Sequence, residues 1–292
     1  YQQNRIGRIT GNFSGRIKSG IPAGEATLRM QEVKTGGLVL DTLSLTANYG
    51  DEIADITLDL AREKNTAHVQ SSVKVDSTPE IAFSEIAMNF AEQQWRDRGD
   101  TAKIILDNGV YIVENFELAT RAPNQEQSIT ASGIFSLEGQ ENFTLRLSNI
   151  NIYDYARFYE LPLPGSGNLN LDLSLQGTAD DPIISTQMEL TNGRINNFPY
   201  DSLNGNFAYK SDQFDWDILL QSEDIDSIKI AGQTSIQYSI PDRIEKLTRT
   251  TPFQLSINTE SLPLSLIRAG NIPIRRVTGN GSCNIAISGS LN

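Results

Sequence analysis

One phrase constrains the fold of this chain more than any other feature: a segment that opens on Gly and then alternates apolar and polar residues. From Gly167 it runs GNLNLDLSLQG, with leucine at every second position from 169 to 175. A side-chain period of two is typical of a β-strand with one apolar and one polar face. The phrase returns at Gly279 as GNGSCNIAISG and, more loosely, at Gly11 as GNFSGRIKSG. Such repetition predicts a chain built from copies of one β-unit.

The similarity between copies extends beyond the opening strand. An Asp eight residues before a Tyr, with Leu two residues after the Asp, occurs at Asp41–Tyr49 and again at Asp201–Tyr209. Further along, FTLRLSN from Phe143 matches FQLSINT from Phe253. The same elements therefore follow one another in the same order in each copy.

Each of these last strands leads into a short stretch with helical spacing, at Ile150–Tyr159 and at Leu262–Ala269. Prolines follow both stretches, and the Gly-led phrase then restarts. No Pro-rich, Ser-rich or charged linker divides the chain. We predict repeat units at residues 1–166 and 167–278, and the start of a further repeat at 279–292.

Alternating segments joined by short polar connections cover most of the sequence, which favours hairpins in an antiparallel meander. The spacing in Ser84–Asp97 fits either a helix or a strand with a bulge at Ser84–Glu85, and we favour the strand. Apolar faces on so many strands cannot be left in water. We predict an all-β fold: one long antiparallel sheet, with short helical interruptions, that curls into a taco-like groove, apolar inside and polar outside.

Composition excludes several classes of function. The net charge of −12 leaves no basic stripe for nucleic acid or for anionic lipid headgroups. The single cysteine, Cys283, excludes an internal disulfide. The single histidine, His68, lies in a strand and supports neither a Ser-His-Asp triad nor a zinc site. We predict no catalytic residue, metal or cofactor, and hence no enzyme.

The chain contains no apolar run long enough to span a bilayer. It begins at Tyr1 without an initiator Met and stops just as a Gly-led phrase restarts. These features favour a piece of a longer protein. Any membrane anchor of that protein is then expected in segments outside this sequence.

The segment from Leu163 to Pro182, LPGSGNLNLDLSLQGTADDP, resembles the repeat of TamB-like proteins. These belong to the AsmA-like superfamily of bridge-like lipid transfer proteins. The similarity continues through Asn192-Gly193, Tyr200 and the strand of Phe207. It is closer over residues 128–292 than over 1–127, where the Pro after the Gly-led phrase is displaced to Pro22.

The resemblance implies a curled sheet, a repeating β-groove that conducts phospholipid with acyl chains inside and headgroups outside. In this family the N-terminus is anchored in the inner membrane and the body crosses the periplasm. TamB relatives also work with an outer-membrane assembly barrel of the Omp85 type, in a translocation and assembly module. The resemblance thus implies a periplasmic lipid bridge that supports outer-membrane biogenesis, and the family has no catalytic residues to carry over.

Two functions from different classes remain open. In the first, the groove is a lipid conduit lined by Leu145, Leu147, Leu169, Leu171, Leu173, Leu175, Phe207, Tyr209, Phe214, Trp216, Ile218, Leu220, Ile228 and Ile230. In the second, the groove is packed shut, and the chain is a periplasmic scaffold or chaperone that assists outer-membrane β-barrel assembly or secretion without carrying lipid. The two differ in whether the apolar lining is open or self-packed.

Overall fold

The computed structural model of the chain describes residues 5–18, 21–35, 38–90, 92–121, 125–136, 138–158, 165–195, 198–223, 225–240, 243–244, 251–263 and 279–290. Strands make up 84% of the structure and helix 2%, which confirms the all-β class. Eighteen strands belong to one large antiparallel sheet, as predicted.

The chain divides into two compact units. The first comprises Tyr1–Phe135 with Arg157–Leu161, and the second comprises Ser136–Ala156 with Pro162–Asn292. This division reflects compactness rather than sequence similarity. The repeat boundaries at residues 166 and 278 therefore stay a prediction.

The first unit is built from ten strands that follow one another along the chain. They are β1 (Arg5–Lys18), β2 (Ile21–Thr35), β3 (Leu38–Gly50), β4 (Ile53–Arg62), β5 (Asn65–Lys74), β6 (Glu80–Phe90), β7 (Gln93–Asp97), β8 (Ala102–Asp107), β9 (Val110–Thr120) and β10 (Ser128–Ser136). Strands β1 to β6 each pair with the next. Both β7 and β8 then lie between β6 and β9, and β9 pairs with β10.

Register aligns the apolar positions of these strands on one face. One row across the first unit is Leu28, Leu45, Leu58, Val69 and Ile86. Directly opposed residues of antiparallel strands share a face, so the alternation seen in each strand becomes a continuous apolar surface. β6 is a strand with a bulge at Ser84, where the register shifts, as the sequence predicted.

The second unit contains β11 (Gln140–Asn151) and the first five residues of the short helix α1 (Ile152–Phe158). The sheet continues through β12 (Gly165–Thr178), β13 (Pro182–Ile195), β14 (Phe198–Lys210), β15 (Gln213–Ser222) and β16 (Ile225–Ser235). The short strands β17 (Tyr238–Ser239) and β18 (Arg243–Ile244) pair with each other. β19 (Pro252–Pro263) and β20 (Asn280–Ser290) complete the sheet, with β19 against β16.

Helix α1 confirms the first predicted helical stretch. The second prediction, Leu262–Ala269, is wrong at Leu262, which lies in β19. Residues 264–269 lie outside the described residues. The apolar spacing misled there because Leu262 continues the strand past a bulge, which changes the period of the pattern.

Strands β1–β5 and β12–β16 repeat the same layout at a spacing of 160 residues. β1, β3 and β4 each begin and end 160 residues before β12, β14 and β15. The pairing repeats too: Leu28 lies opposite Leu45, as Met188 lies opposite Gly205. The predicted match of Asp41–Tyr49 with Asp201–Tyr209 is therefore confirmed.

This spacing corrects the start of the first copy. Gly7, not Gly11, is the counterpart of Gly167, and Pro22 is the counterpart of Pro182. Pro22 therefore lies at the position that the repeat predicts and is not displaced. The sequence pattern placed the start at Gly11 because β1 has glycine at two positions where β12 has leucine. These glycines hide the alternation of apolar and polar residues.

The Gly-led strands β12 and β20 pair in the same way with the strand that precedes each of them in the sheet. β11 lies against β12 and β19 against β20, and both pairs shift register between the second and the fourth residue after the opening Gly. These registers make Ile257, which faces Ile285, the counterpart of Leu145, which faces Leu173. The alignment of Phe143 with Phe253 is therefore wrong by two residues, because the bulge and not the shared Phe sets the register.

Tyr200 accounts for the glycine that lies opposite it in the second unit. It is 4% exposed and lies opposite Gly193, where a Cβ would stand 2.2 Å from its hydroxyl oxygen. Its hydroxyl donates a 2.7 Å hydrogen bond to the Ser166 carbonyl oxygen, and burial raises its pKa. The ring thus fills the space that glycine leaves and ties β14 to β12.

Replacing Tyr200 with Phe is expected to lower the free energy of unfolding by about 1–2 kcal/mol, because the Ser166 carbonyl loses its donor. Urea denaturation followed by circular dichroism measures this loss. Tyr153→Phe is the matched control, since Tyr153 is 55% exposed. Equal stability of the two variants would contradict a role for the hydroxyl.

Candidate functional site

The registers of the second unit arrange its apolar side chains in four rows that cross the sheet. The rows are Ile150, Leu169, Leu190, Leu203, Leu220 and Ile228; Leu147, Leu171, Met188, Gly205, Ile218, Ile230, Ile257 and Ile285; Leu145, Leu173, Thr186, Phe207, Trp216, Gly232, Leu255 and Ile287; and Phe143, Leu175, Ile184, Tyr209, Phe214, Thr234, Phe253 and Gly289. We call this surface the apolar face. All fourteen residues predicted to line a groove lie on it.

Sequence reasoning missed part of this face. Met188 on β13 and Leu255 and Ile257 on β19 extend it, as do residues of β20. Their alternation was visible in the sequence, but threonine or glycine interrupts the apolar positions. Which rows they join depends on register, which the pattern alone does not give.

The apolar face is open. Of the fourteen predicted lining residues, Leu175 and Tyr209 are buried and the other twelve are half-buried. At the far side of the sheet, Ile285 and Ile287 are 41% and 45% exposed. A face packed shut against other parts of the chain would bury its central side chains.

Aromatic rings form the centre of the apolar face. The rings of Phe207 and Phe214 are stacked with centroids 6.4 Å apart, and Trp216 lies 5.6 Å from Phe214. Trp216 also lies over Gly232 opposite it, where a Cβ would stand 2.2 Å from the indole. Glycine at this position lets the indole lie against the backbone, so the surface stays smooth and apolar.

A crossing segment, Ile236–Ile240, bounds one side of the apolar face. The Ile236 N–H donates to the Asp212 carbonyl (2.8 Å) and the Ile240 N–H to the Ala179 carbonyl (2.9 Å). The segment thereby spans from the β14–β15 turn to the β12–β13 turn. It is held at the turns of these two hairpins, next to the buried side chains of Leu175 and Tyr209.

Tyr209 fixes this segment to the sheet. Its hydroxyl accepts the Tyr238 N–H at 3.1 Å and lies within donating distance of the Tyr238 carbonyl and of Asp212. The two tyrosine rings meet edge to face at 5.8 Å. Burial is the main cause that raises the pKa of Tyr209, with the Asp212 and Asp181 carboxylates adding to it. The hydroxyl therefore keeps its proton at neutral pH.

The opposite face of the second unit is polar and carries cross-strand pairs. Arg146 pairs with Asp172 directly opposite it, and Asn170 donates to Glu189 at 3.1 Å. Lys229 lies 3.3 Å from Asp217. This face is the wet surface that the alternation predicts.

A cavity of about 680 Å³ lies in the second unit. Its lining forms two polar rows and the row between them: Ser185, Ala208, Asp215, Gln233, Gln254 and Ser288; Gln187, Asn206, Asp217, Ala231, Ser256 and Ala286; and Thr186, Phe207, Trp216, Gly232, Leu255 and Ile287. The cavity is therefore lined by polar positions together with one row of the apolar face.

The sequence also singled out His68 and Cys283. His68 lies opposite Asp59, with Nδ1 2.6 Å from the Asp59 Oδ1, on the polar face of the first unit. Cys283 is half-buried on β20, on the apolar side as predicted. Within the described ranges, no three His, Cys, Asp or Glu side chains are grouped as metal ligands. No helix among those residues combines the length and hydropathy needed to cross a membrane.

Comparison with protein-family models, with curated proteins and with solved structures finds no match to this chain.

Replacing Tyr209 with Phe is expected to loosen the crossing segment, because the Tyr238 N–H loses its acceptor. The amide of Tyr238 should exchange with solvent about threefold to tenfold faster, as the loss of one hydrogen bond implies. Hydrogen–deuterium exchange with mass spectrometry measures the rate. Tyr238→Phe keeps the ring contact and serves as the control. An unchanged rate in Tyr209→Phe would show that other contacts hold the segment.

Proposed function

We propose that the apolar face of the second unit binds phospholipid acyl chains and that the chain is a segment of a lipid-transfer bridge, as the resemblance to TamB-like proteins implies. The observation that carries the proposal is the open apolar face. Four rows two residues apart span about 20 Å along the strands, and eight strands span about 34 Å across the sheet. An acyl chain fits within these dimensions.

The chemistry of the face suits a ligand that slides. The lining is aliphatic and aromatic, so contact with an acyl chain stabilises the complex by about 0.8 kcal/mol per methylene removed from water. Such contact is non-directional. Movement along the rows then needs no hydrolysis, only similar contact at each step.

The half-buried state of the twelve lining residues favours this proposal over the scaffold hypothesis, in which the groove is packed shut. The remaining elements of the proposal rest on the resemblance alone. They are a periplasmic location between the inner and outer membranes, a role in outer-membrane biogenesis, and an outer-membrane partner barrel of the Omp85 type.

The two tryptophans allow a direct test with a built-in control. Trp216 is half-buried on the apolar face, whereas Trp95 is 1% exposed in the first unit. A phospholipid brominated on its acyl chain should quench the fluorescence of the Trp95→Phe protein, which retains Trp216. The Trp216→Phe protein, which retains Trp95, should keep its emission. Equal quenching of both, or of neither, would contradict acyl binding at the apolar face.

A charge on the lining should prevent lipid binding. Leu173→Glu places a carboxylate in the row of Trp216, and we expect co-purifying phospholipid to fall about tenfold or more, since an unpaired buried charge is strongly unfavourable. Native mass spectrometry with lipid extraction measures the bound lipid.

Gln176→Glu is the matched control for this variant. It adds the same charge to the same strand on the exposed polar face and should leave lipid binding intact. Circular dichroism establishes that both variants are folded. Full lipid occupancy in folded Leu173→Glu would overturn the proposal.

A further inference from the structure

Glu141 places a carboxylate at an apolar position of the second unit. Among the described side chains it is the one carboxylate that is buried, at 4% exposure, and no described Lys, Arg or His side chain is buried. Glu141 lies opposite Gly177 and two residues before Phe143, so it is on the same side of the sheet as the row of Phe143. The alternation predicts an apolar residue at such a position, and the chain has an ionisable one there.

The carboxylate of Glu141 is held by a backbone group. Both of its oxygens accept the Ser136 N–H, at 3.1 and 3.0 Å, and Ser136 is 2% exposed. Burial is the main cause that raises the pKa of Glu141 above its ordinary value, and the Ser136 N–H acts in the opposite direction. A carboxylate taken out of water is unfavourable unless a cation or several donors compensate for the lost hydration. The ionised form of Glu141 is therefore disfavoured.

The titratable side chains on the neighbouring elements do not supply a positive charge. Those described in the β10–β11, β12–β13 and β14–β15 turns and in the crossing segment are Glu138, Asp180, Asp181, Asp212 and Tyr238. The four carboxylates are exposed. On the adjacent strand β12, Asp172 lies on the polar face, where it pairs with Arg146. Burial therefore dominates the environment of Glu141.

Backbone hydrogen bonds connect Glu141 with the crossing segment. Glu141 holds Ser136 at the start of the β10–β11 turn, and the Gly139 carbonyl of this turn accepts the Ala179 N–H at 3.0 Å. The Ala179 carbonyl in turn accepts the Ile240 N–H at 2.9 Å. Ala179 is 1% exposed. We call Ser136, Gly139, Glu141 and Ala179 the Glu141 corner, and all four belong to the second unit.

We propose that Glu141 makes the attachment of the crossing segment dependent on pH: protonation of Glu141 stabilises the Glu141 corner and ionisation weakens it. When the corner opens, water reaches the carboxylate and its pKa returns to the ordinary range. Because the pKa is higher in the closed corner, the closed state is favoured at low pH. This advantage is lost as the pH rises through the closed-state pKa.

The border of the apolar face is then held more firmly in acid than at neutral pH. This property belongs to the protein without any ligand. It therefore does not depend on lipid binding, and its test leaves the proposed function untouched.

Hydrogen exchange of the Ile240 amide, followed by nuclear magnetic resonance at about pH 5 and about pH 8, tests the proposal. After correction for the intrinsic pH dependence of exchange, the unaltered protein should lose about threefold or more of its protection at the higher pH, on the scale of one hydrogen bond. Glu141→Gln keeps the size of the side chain and an acceptor oxygen but cannot ionise. Its Ile240 amide should keep the same protection at both pH values.

Glu138→Gln is the matched control, because it removes an exposed acid from the same turn. This variant should show the pH dependence of the unaltered protein. An equal pH dependence in Glu141→Gln and the unaltered protein would overturn the proposal, as would Ile240 protection that does not change with pH.

A titration of the Glu141 carboxyl carbon by nuclear magnetic resonance gives a second measurement that needs no variant. Its midpoint should lie above the ordinary range of a glutamate. A midpoint within or below that range would show that the corner does not disfavour the ionised form, and the proposal would fail.

Discussion

Strand register is the constraint on which the rest of this structure depends. Because side chains alternate between faces, a slip of one residue would move the apolar residues of a strand onto the polar face. The second unit keeps Leu173, Phe207 and Trp216 in one row across several strands. The apolar face exists only while this alignment holds, and the cross-strand pair of Arg146 with Asp172 is aligned by the same register.

Glycine and aromatic residues opposite one another help to set that register. Tyr200 covers Gly193 and Trp216 covers Gly232, and a Cβ at either glycine would collide with the ring. A strand with a shifted register would no longer place the aromatic ring opposite the glycine. The same pairing smooths the apolar face of the second unit, because glycine at position 232 lets the Trp216 ring lie against the backbone.

The two units present different surfaces. The second offers a broad, half-buried apolar face with a border secured by Tyr209, which suits an apolar chain without fixed polar groups. The first includes β1, whose described side chains from Arg5 to Ile17 are all exposed. Contact with an apolar face is non-directional, so it requires no fixed polar partner.

The sequence by itself determined the all-β class, the repeated order of elements, helix α1 and the membership of all fourteen predicted lining residues on one face. Period-two alternation is a local property, so it is readable without a fold. Only the tertiary structure decided that the first copy opens at Gly7, that Ile257 and not Leu255 corresponds to Leu145, and that Leu262 lies in a strand. Bulges and cross-strand partners set these features, and a degenerate pattern leaves such long-range pairings open. The open state of the apolar face likewise depends on which parts of the chain pack against it, which alternation does not specify.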